Sequence, residues 1–173
     1  MAYLMLWSQF VVVGVFLVAV VAKVRRRATF AGFVSSVDSL RLLPRRLSRP
    51  VAYAVLAAEM VVIPLAAIPA TAPFGLAGSA LMLAAFTVAV VFTRAGKGTT
   101  CWCFGPSTTR LGWPHVLRNL TLMAICGAGL WAGRDGDGVS MDPLGAIAAL
   151  VAAATVVLLA TRLDDLVVLL AAR

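Results

Sequence analysis

Two cysteines, Cys101 and Cys103, stand one residue apart and carry the most distinctive chemistry of the sequence. A disulfide between them would close a small, strained ring, and a strained disulfide is easier to reduce than a structural one. The cations Lys97, Arg110 and Arg118 would stabilise a thiolate nearby, and the thiolate is the reactive form of a cysteine. The arrangement therefore favours thiol–disulfide exchange.

Two other uses of the same cysteines stay open. Paired thiolates also bind Cu(I), because soft ligands select soft metals, and free cysteines are often only small apolar residues in a packed interior. The six methionines are dispersed along the chain, which weighs against copper handling. A structural zinc site is not predicted, since His115 is the only histidine and zinc needs four protein ligands. Cys126 lies among small residues of an apolar stretch, where packing between helices is expected and a resolving thiol is the alternative.

Glu59 is an acidic residue inside an apolar stretch and is a candidate catalytic residue. A carboxyl group in a membrane is costly unless it is protonated, paired or hydrated, so a proton-handling or partner-binding role competes with a structural hydrogen bond. Its expected partners are Arg94, Arg118 and Asn119. Lys23 closes the first apolar stretch, where a lysine commonly extends its amine to the lipid headgroups as an anchor.

The composition places these residues in a membrane. The chain of 173 residues is 62% hydrophobic and 13% charged, whereas soluble domains are about 45–50% apolar and about 25% charged. The net charge of +8 comes from basic residues between the apolar stretches, which membrane orientation and anionic lipids explain. Nucleic-acid binding is not predicted, and the length suits a single domain.

An all-α fold with five transmembrane helices is predicted from stretches long enough to cross a hydrocarbon core of about 30 Å. An amphipathic helix over about residues 28–43 is expected to lie in the interface, because its apolar residues recur every three or four positions. A tight turn is expected at Pro73, Phe74 and Gly75. The predicted spans are residues 3–22, 51–69, 74–93, 116–132 and 144–161.

The distribution of Lys and Arg predicts the orientation. Residues 23–49 contain eight, residues 70–73 none, residues 94–118 four, residues 133–143 one and residues 162–173 two. Fourteen therefore lie on one side of the membrane and one on the other. The positive-inside rule predicts an N-terminus outside, and a C-terminus and cysteine loop in the cytoplasm.

The loop that carries the cysteines is expected to lie at headgroup depth, because Trp102 and Phe104 prefer the membrane interface. A quinone could accept electrons near these aromatic rings, although no residue pattern demands one.

The sequence resembles the MauE proteins of methylamine utilisation, which are grouped with DoxX-like membrane proteins. The resemblance covers about residues 5–135. The matching residues are Cys101, Trp102, Cys103, Phe104 and Gly105, the pair Arg118 and Asn119, Lys23, the pair Leu43 and Pro44, and Glu59.

The resemblance implies a four-helix bundle, to which this chain adds a fifth transmembrane helix. It further implies an accessory protein of the bacterial inner membrane that helps a partner mature, with a thioredoxin-like protein and with Cys101 and Cys103 as the exchanging pair. Disulfide formation belongs outside the cytoplasm, whereas the charge count places the loop inside. Copper handling and a structural subunit of a larger membrane complex are the alternative functions.

Overall fold

The computed structural model describes residues 1–39, 44–93, 113–134 and 142–162. This part of the chain is helical throughout, with no strand, so the predicted all-α membrane fold is confirmed. The helices are α1 (Ala2–Val24), α2 (Arg27–Ser39), α3 (Arg45–Ala67), α4 (Ala72–Thr93), α5 (Trp113–Ala132) and α6 (Pro143–Thr161).

Four of these helices are long and apolar enough to cross a membrane: α1, α3, the Ala72–Phe92 part of α4, and α6. Their mean hydropathy lies between 1.9 and 2.5. Helix α5 is not among them, because its first turns contain His115, Arg118 and Asn119. All three residues are buried, so the polar half of α5 faces the protein.

Helix α5 nevertheless runs the length of the bundle, antiparallel to α1. Near its start, Asn119 donates a hydrogen bond to Thr87 close to the end of α4. Near its end, a Cβ added to Gly129 would lie 2.7 Å from the Cβ of Ser8 in α1. The predicted fourth span is therefore a helix of the bundle, although it is not among the four helices that are long and apolar enough to cross a membrane.

The basic residues gather at one end of the bundle. Helices α1 and α6 start together, since the Asp142 backbone N–H donates a 2.9 Å hydrogen bond to the Tyr3 hydroxyl, and α3 joins α4 by a short turn at residues 68–71. The opposite end therefore combines the ends of α1, α4 and α6 with the starts of α3 and α5. The described arginines and lysine lie at that end, apart from Arg134. Which end faces the cytoplasm stays a prediction.

The starts of α4 and α3 differ from the prediction. The expected turn at Pro73, Phe74 and Gly75 is wrong, because these residues belong to the first turn of α4. Proline is tolerated there, since the first backbone N–H groups of a helix have no partner in the helix. Helix α3 begins at Arg45, six residues before the predicted span, so its first turns carry arginines outside the apolar part.

Helix α1 packs at the centre of the bundle. One face meets α3, α4 and α5 in a core that includes Val12, Val62 and Leu76, and another meets α5 and α6 around Val15 and Ala153. Cys126 is fully buried in the first of these cores, which confirms that it packs between helices.

Helix α2 has 13 residues, and at 1.5 Å per residue its length of about 20 Å is too short to span a membrane. It packs on α1 and α3 at the basic end of the bundle. Phe33 is buried there, and the Phe30 ring lies 4.7 Å from the Tyr53 ring of α3, centroid to centroid. Residues 40–43 of the predicted helix lie outside the described part of the chain.

Candidate functional site

A buried ion pair joins α1 to α3. The Lys23 ammonium donates hydrogen bonds to both carboxylate oxygens of Glu59, at 2.6 Å and 2.8 Å. The two side chains are 1% and 9% exposed. Two charges removed from water to this extent are costly unless their geometry is good, and a Lys nitrogen shared between both oxygens of a carboxylate meets that condition.

Lys23 does not act as the expected interfacial anchor, and that prediction is wrong. Its side chain turns into the bundle, where the ammonium also lies 4.8 Å from the centroid of the Phe33 ring, within the range of a cation–π contact. Helix α2 thus closes the site from the basic end. The carboxylate of Glu59 holds the amine inside because it offers a full opposite charge at hydrogen-bonding distance.

The start of α5 adds the second set of polar groups. Arg118 and Asn119 are 7% and 2% exposed, and the Asn119 amide donates a 3.2 Å hydrogen bond to the Thr87 hydroxyl of α4. Arg118 and Asn119 were the expected partners of Glu59. They share a cavity with it, but the cation that pairs with Glu59 is Lys23, so the predicted pairing is wrong. Arg94, the third expected partner, lies outside the described residues.

The polar residues border a cavity of about 490 Å³. Its walls are apolar and come from α1, α3, α4 and α5, with Phe33 and Val37 of α2 at one end. Lys23, Glu59, Arg118 and Asn119 are the polar residues on its described surface. A cavity of this volume, with apolar walls and a few convergent polar groups, is typical of a small-molecule site.

The cavity opens at the side of the bundle, between α3 and α4. Ala54 of α3 and Ala85 of α4 both line it, and both are exposed. At the far end of the same two helices the backbones are in contact, because Gly75 lets α4 approach Ala66. The helices therefore diverge from the α3–α4 turn toward the basic end and leave a lateral entrance.

A second cavity, of about 850 Å³, lies between α2 and the start of α3. Arginines from both helices surround it, and the Phe30 and Tyr53 rings form part of its wall. Its arginines are Arg26, Arg27, Arg45 and Arg49. Positive charge beside an apolar wall is compatible with the anionic lipids expected from the sequence.

The structure brings together four of the residues singled out from the sequence: Lys23, Glu59, Arg118 and Asn119. Two further residues of the site, Phe33 and Thr87, were not identified as site residues. No sequence signal marks them, since a Phe on an amphipathic helix and a Thr in an apolar helix are ordinary. The remaining candidates lie outside the described residues: Arg94, Lys97, Cys101, Trp102, Cys103, Phe104, Gly105 and Arg110.

In the described part of the chain, no three or more His, Cys, Asp or Glu residues come together as a metal site. The Cu(I) alternative rests on Cys101 and Cys103, which lie outside that part, and so it stays a prediction.

One comparison with known proteins finds a relationship. The family model described as methylamine utilisation protein MauE matches residues 1–132. This match includes α1 to α5 and ends before α6. No curated protein and no solved structure matches the chain.

Proposed function

The chain belongs to the MauE family, and from this membership we propose that it is a membrane accessory protein that matures a partner by thiol–disulfide exchange at Cys101 and Cys103. The partner is a client protein or a thioredoxin-like protein that serves the client. The membrane is the bacterial plasma membrane, with the cysteine segment on its cytoplasmic side.

The observation that carries this proposal is the position of the buried polar cluster relative to the cysteine segment. That segment connects the end of α4 to the start of α5. Ala89, near the end of α4, and Asn119, near the start of α5, line the same cavity as Glu59. The two helices that hold the cysteine segment therefore both border the cavity that contains the Glu59 carboxylate.

The exchange uses one cysteine at a time. One thiolate attacks a partner disulfide and forms a mixed disulfide, and the partner's other sulfur leaves as a thiolate. The second cysteine then attacks the mixed disulfide, so that Cys101 and Cys103 become joined and the partner becomes a dithiol. The reverse sequence oxidises the partner. Glu59 supplies or accepts the proton that accompanies thiolate formation, and Lys97 stabilises the thiolate.

Alkylation of the protein in membranes tests the proposal. After equilibration at a series of redox potentials, Cys101 and Cys103 should change together from two alkylated thiols to none. Cys126 is the internal control, because it is fully buried and free and should be alkylated only after denaturation. Replacing either Cys101 or Cys103 by Ser should abolish the oxidised intramolecular form, whereas Cys126→Ala should keep it.

Failure to find an oxidised pair at any potential would overturn the proposal. One Cu(I) bound per chain, with thiolate-to-metal charge-transfer absorption and without redox cycling, would establish metal handling instead. Normal partner maturation by the double variant Cys101→Ser/Cys103→Ser would leave a structural subunit of a membrane complex as the remaining alternative.

A further inference from the structure

The cavity that Glu59 lines has apolar walls and one polar end, and the two together suit one kind of ligand. Its walls are almost entirely apolar, and its entrance between Ala54 and Ala85 is on the lipid-facing side of the bundle. A ligand dissolved in the bilayer can therefore reach the cavity without passing through water. The polar cluster at the basic end suits a ligand that also carries a polar head.

The polar cluster retains hydrogen-bond donors for that head. Lys23 has three ammonium hydrogens and uses two of them on Glu59. Asn119 has two amide hydrogens, and its bond to Thr87 uses one. Because the ammonium is already neutralised by Glu59 and the Asn119 amide carries no charge, these two residues can donate to a neutral oxygen acceptor.

We propose that the cavity binds a lipid-soluble quinone, with its carbonyl oxygens near Lys23 and Asn119 and its apolar chain leaving between α3 and α4. This inference rests on the proposed function, which needs an electron acceptor when the pair becomes oxidised without a protein disulfide. Two thiols release two electrons and two protons as one S–S bond forms. The quinone takes up both electrons and both protons and becomes a quinol.

Glu59 has a defined part in this scheme, because proton transfer to a quinone inside an apolar cavity needs a group that can carry a proton there. It lines the cavity and is held in place by Lys23. The location also supplies an oxidant for a cytoplasmic cysteine segment, although a disulfide formed there still faces the reducing side of the membrane. A quinone oxidises the pair from the bilayer, so the pair needs no soluble cytoplasmic oxidant.

Binding is tested on the purified full-length protein with decylubiquinone and with a photoreactive azido-quinone. Ala85→Trp and Ala54→Trp place a large side chain at the entrance from either side, and each should weaken decylubiquinone binding at least about tenfold. Ala154→Trp on α6 is the matched control, because Ala154 is also exposed but does not line the cavity. Cross-links from an azide on the quinone ring should fall near Lys23 and Asn119, on α1 and α5.

Redox cycling of the cysteines separates the two proposals. If the pair cycles with soluble oxidants but both entrance variants bind decylubiquinone as well as Ala154→Trp does, the quinone site is wrong and the exchange function stands. Retention of a phospholipid or fatty acid that decylubiquinone does not displace would also overturn the quinone site. If decylubiquinone binds but never oxidises Cys101 and Cys103 in the parent protein, its role as electron acceptor is wrong.

Discussion

Lys23 and Glu59 place opposite charges in contact within an apolar surrounding, with 1% and 9% of their side chains exposed. In such surroundings the attraction between the charges and the cost of removing them from water are both large. The net contribution of the pair to the stability of the folded protein is the small difference between these two quantities. Loss of one member, by contrast, leaves the other charge buried without a counter-charge.

Removal of one charge should therefore destabilise the protein more than removal of both. We expect Lys23→Met and Glu59→Leu each to lower the free energy of unfolding by about 3–5 kcal/mol, and the double variant to recover most of that loss. Denaturant titration of the purified protein in detergent micelles measures all three values.

The exposed pair of Arg45 with Asp38 provides the control. Its N–O distance is 3.4 Å and the Arg45 side chain is 90% exposed, so Arg45→Gln should change stability by no more than about 1 kcal/mol. A Lys23→Met variant as stable as the Arg45→Gln variant would contradict the buried pair.

Contact between helices depends on small residues at particular positions. A Cβ added to Gly75 would meet the backbone of Leu65 and Ala66 at the end of α3. Backbone atoms cannot rotate away as a flexible side chain can. The close contact of α3 with α4 at this end therefore depends on glycine at position 75.

The substitution Gly75→Ala should lower stability by about 1–3 kcal/mol, as expected for an added methyl group in a filled contact. Thermal unfolding monitored by circular dichroism measures the change. Gly127→Ala is the matched control, since its added Cβ would meet no atom within 4 Å and alanine favours a helix. Equal unfolding temperatures for the two variants would show that α4 does not approach α3 so closely.

Helix α6 lies outside the family match and packs on α1. Ala153 is 2% exposed at this contact, whereas its neighbour Ala154 is exposed. The described cavity-lining residues all belong to α1 to α5. Helix α6 thus extends the bundle without forming a wall of the candidate site.

Larger residues at these two neighbouring positions should have different effects. Ala153→Leu forces α6 away from α1 and should lower stability by about 1–3 kcal/mol, whereas Ala154→Leu should be nearly neutral. Unfolding of both variants in micelles gives the comparison. An effect of Ala154→Leu as large as that of Ala153→Leu would mean that α6 packs through another face.

The whole molecule is polarised by charge. Because of the directions in which the helices run, the described basic residues lie at the end that contains Lys23. Arg134 is the exception and lies at the other end. Anionic lipids and the membrane potential favour the basic end in the cytoplasm. The polar cluster lies at this basic end, so the orientation of the bundle also decides on which side of the membrane the cluster lies.

Single cysteines introduced into a variant with the three natural cysteines replaced should show this polarity in intact cells. A membrane-impermeant maleimide should label Arg134→Cys directly and Arg26→Cys only after permeabilisation. The opposite pattern would reverse the predicted orientation. Labelling of both from the same side would contradict the helix directions themselves.

The sequence by itself determined the membrane class, the helical fold and the separation of charge, because each depends on the length, hydropathy and flanking residues of single segments. It also identified Glu59, since a carboxyl group in an apolar stretch stands out without a structure. The boundaries near Pro44 and Pro73 were less predictable, because proline can either precede a helix or begin its first turn.

The tertiary structure decided which groups meet. Lys23 lies 36 residues from Glu59 in the sequence, at the end of an apolar stretch, where an anchoring role is the ordinary expectation. Only packing of α1 against α3, with Phe33 above, turns its amine inward. The divergence of α3 and α4, which opens the cavity, depends equally on contacts between separate helices, and a local sequence pattern does not contain that information.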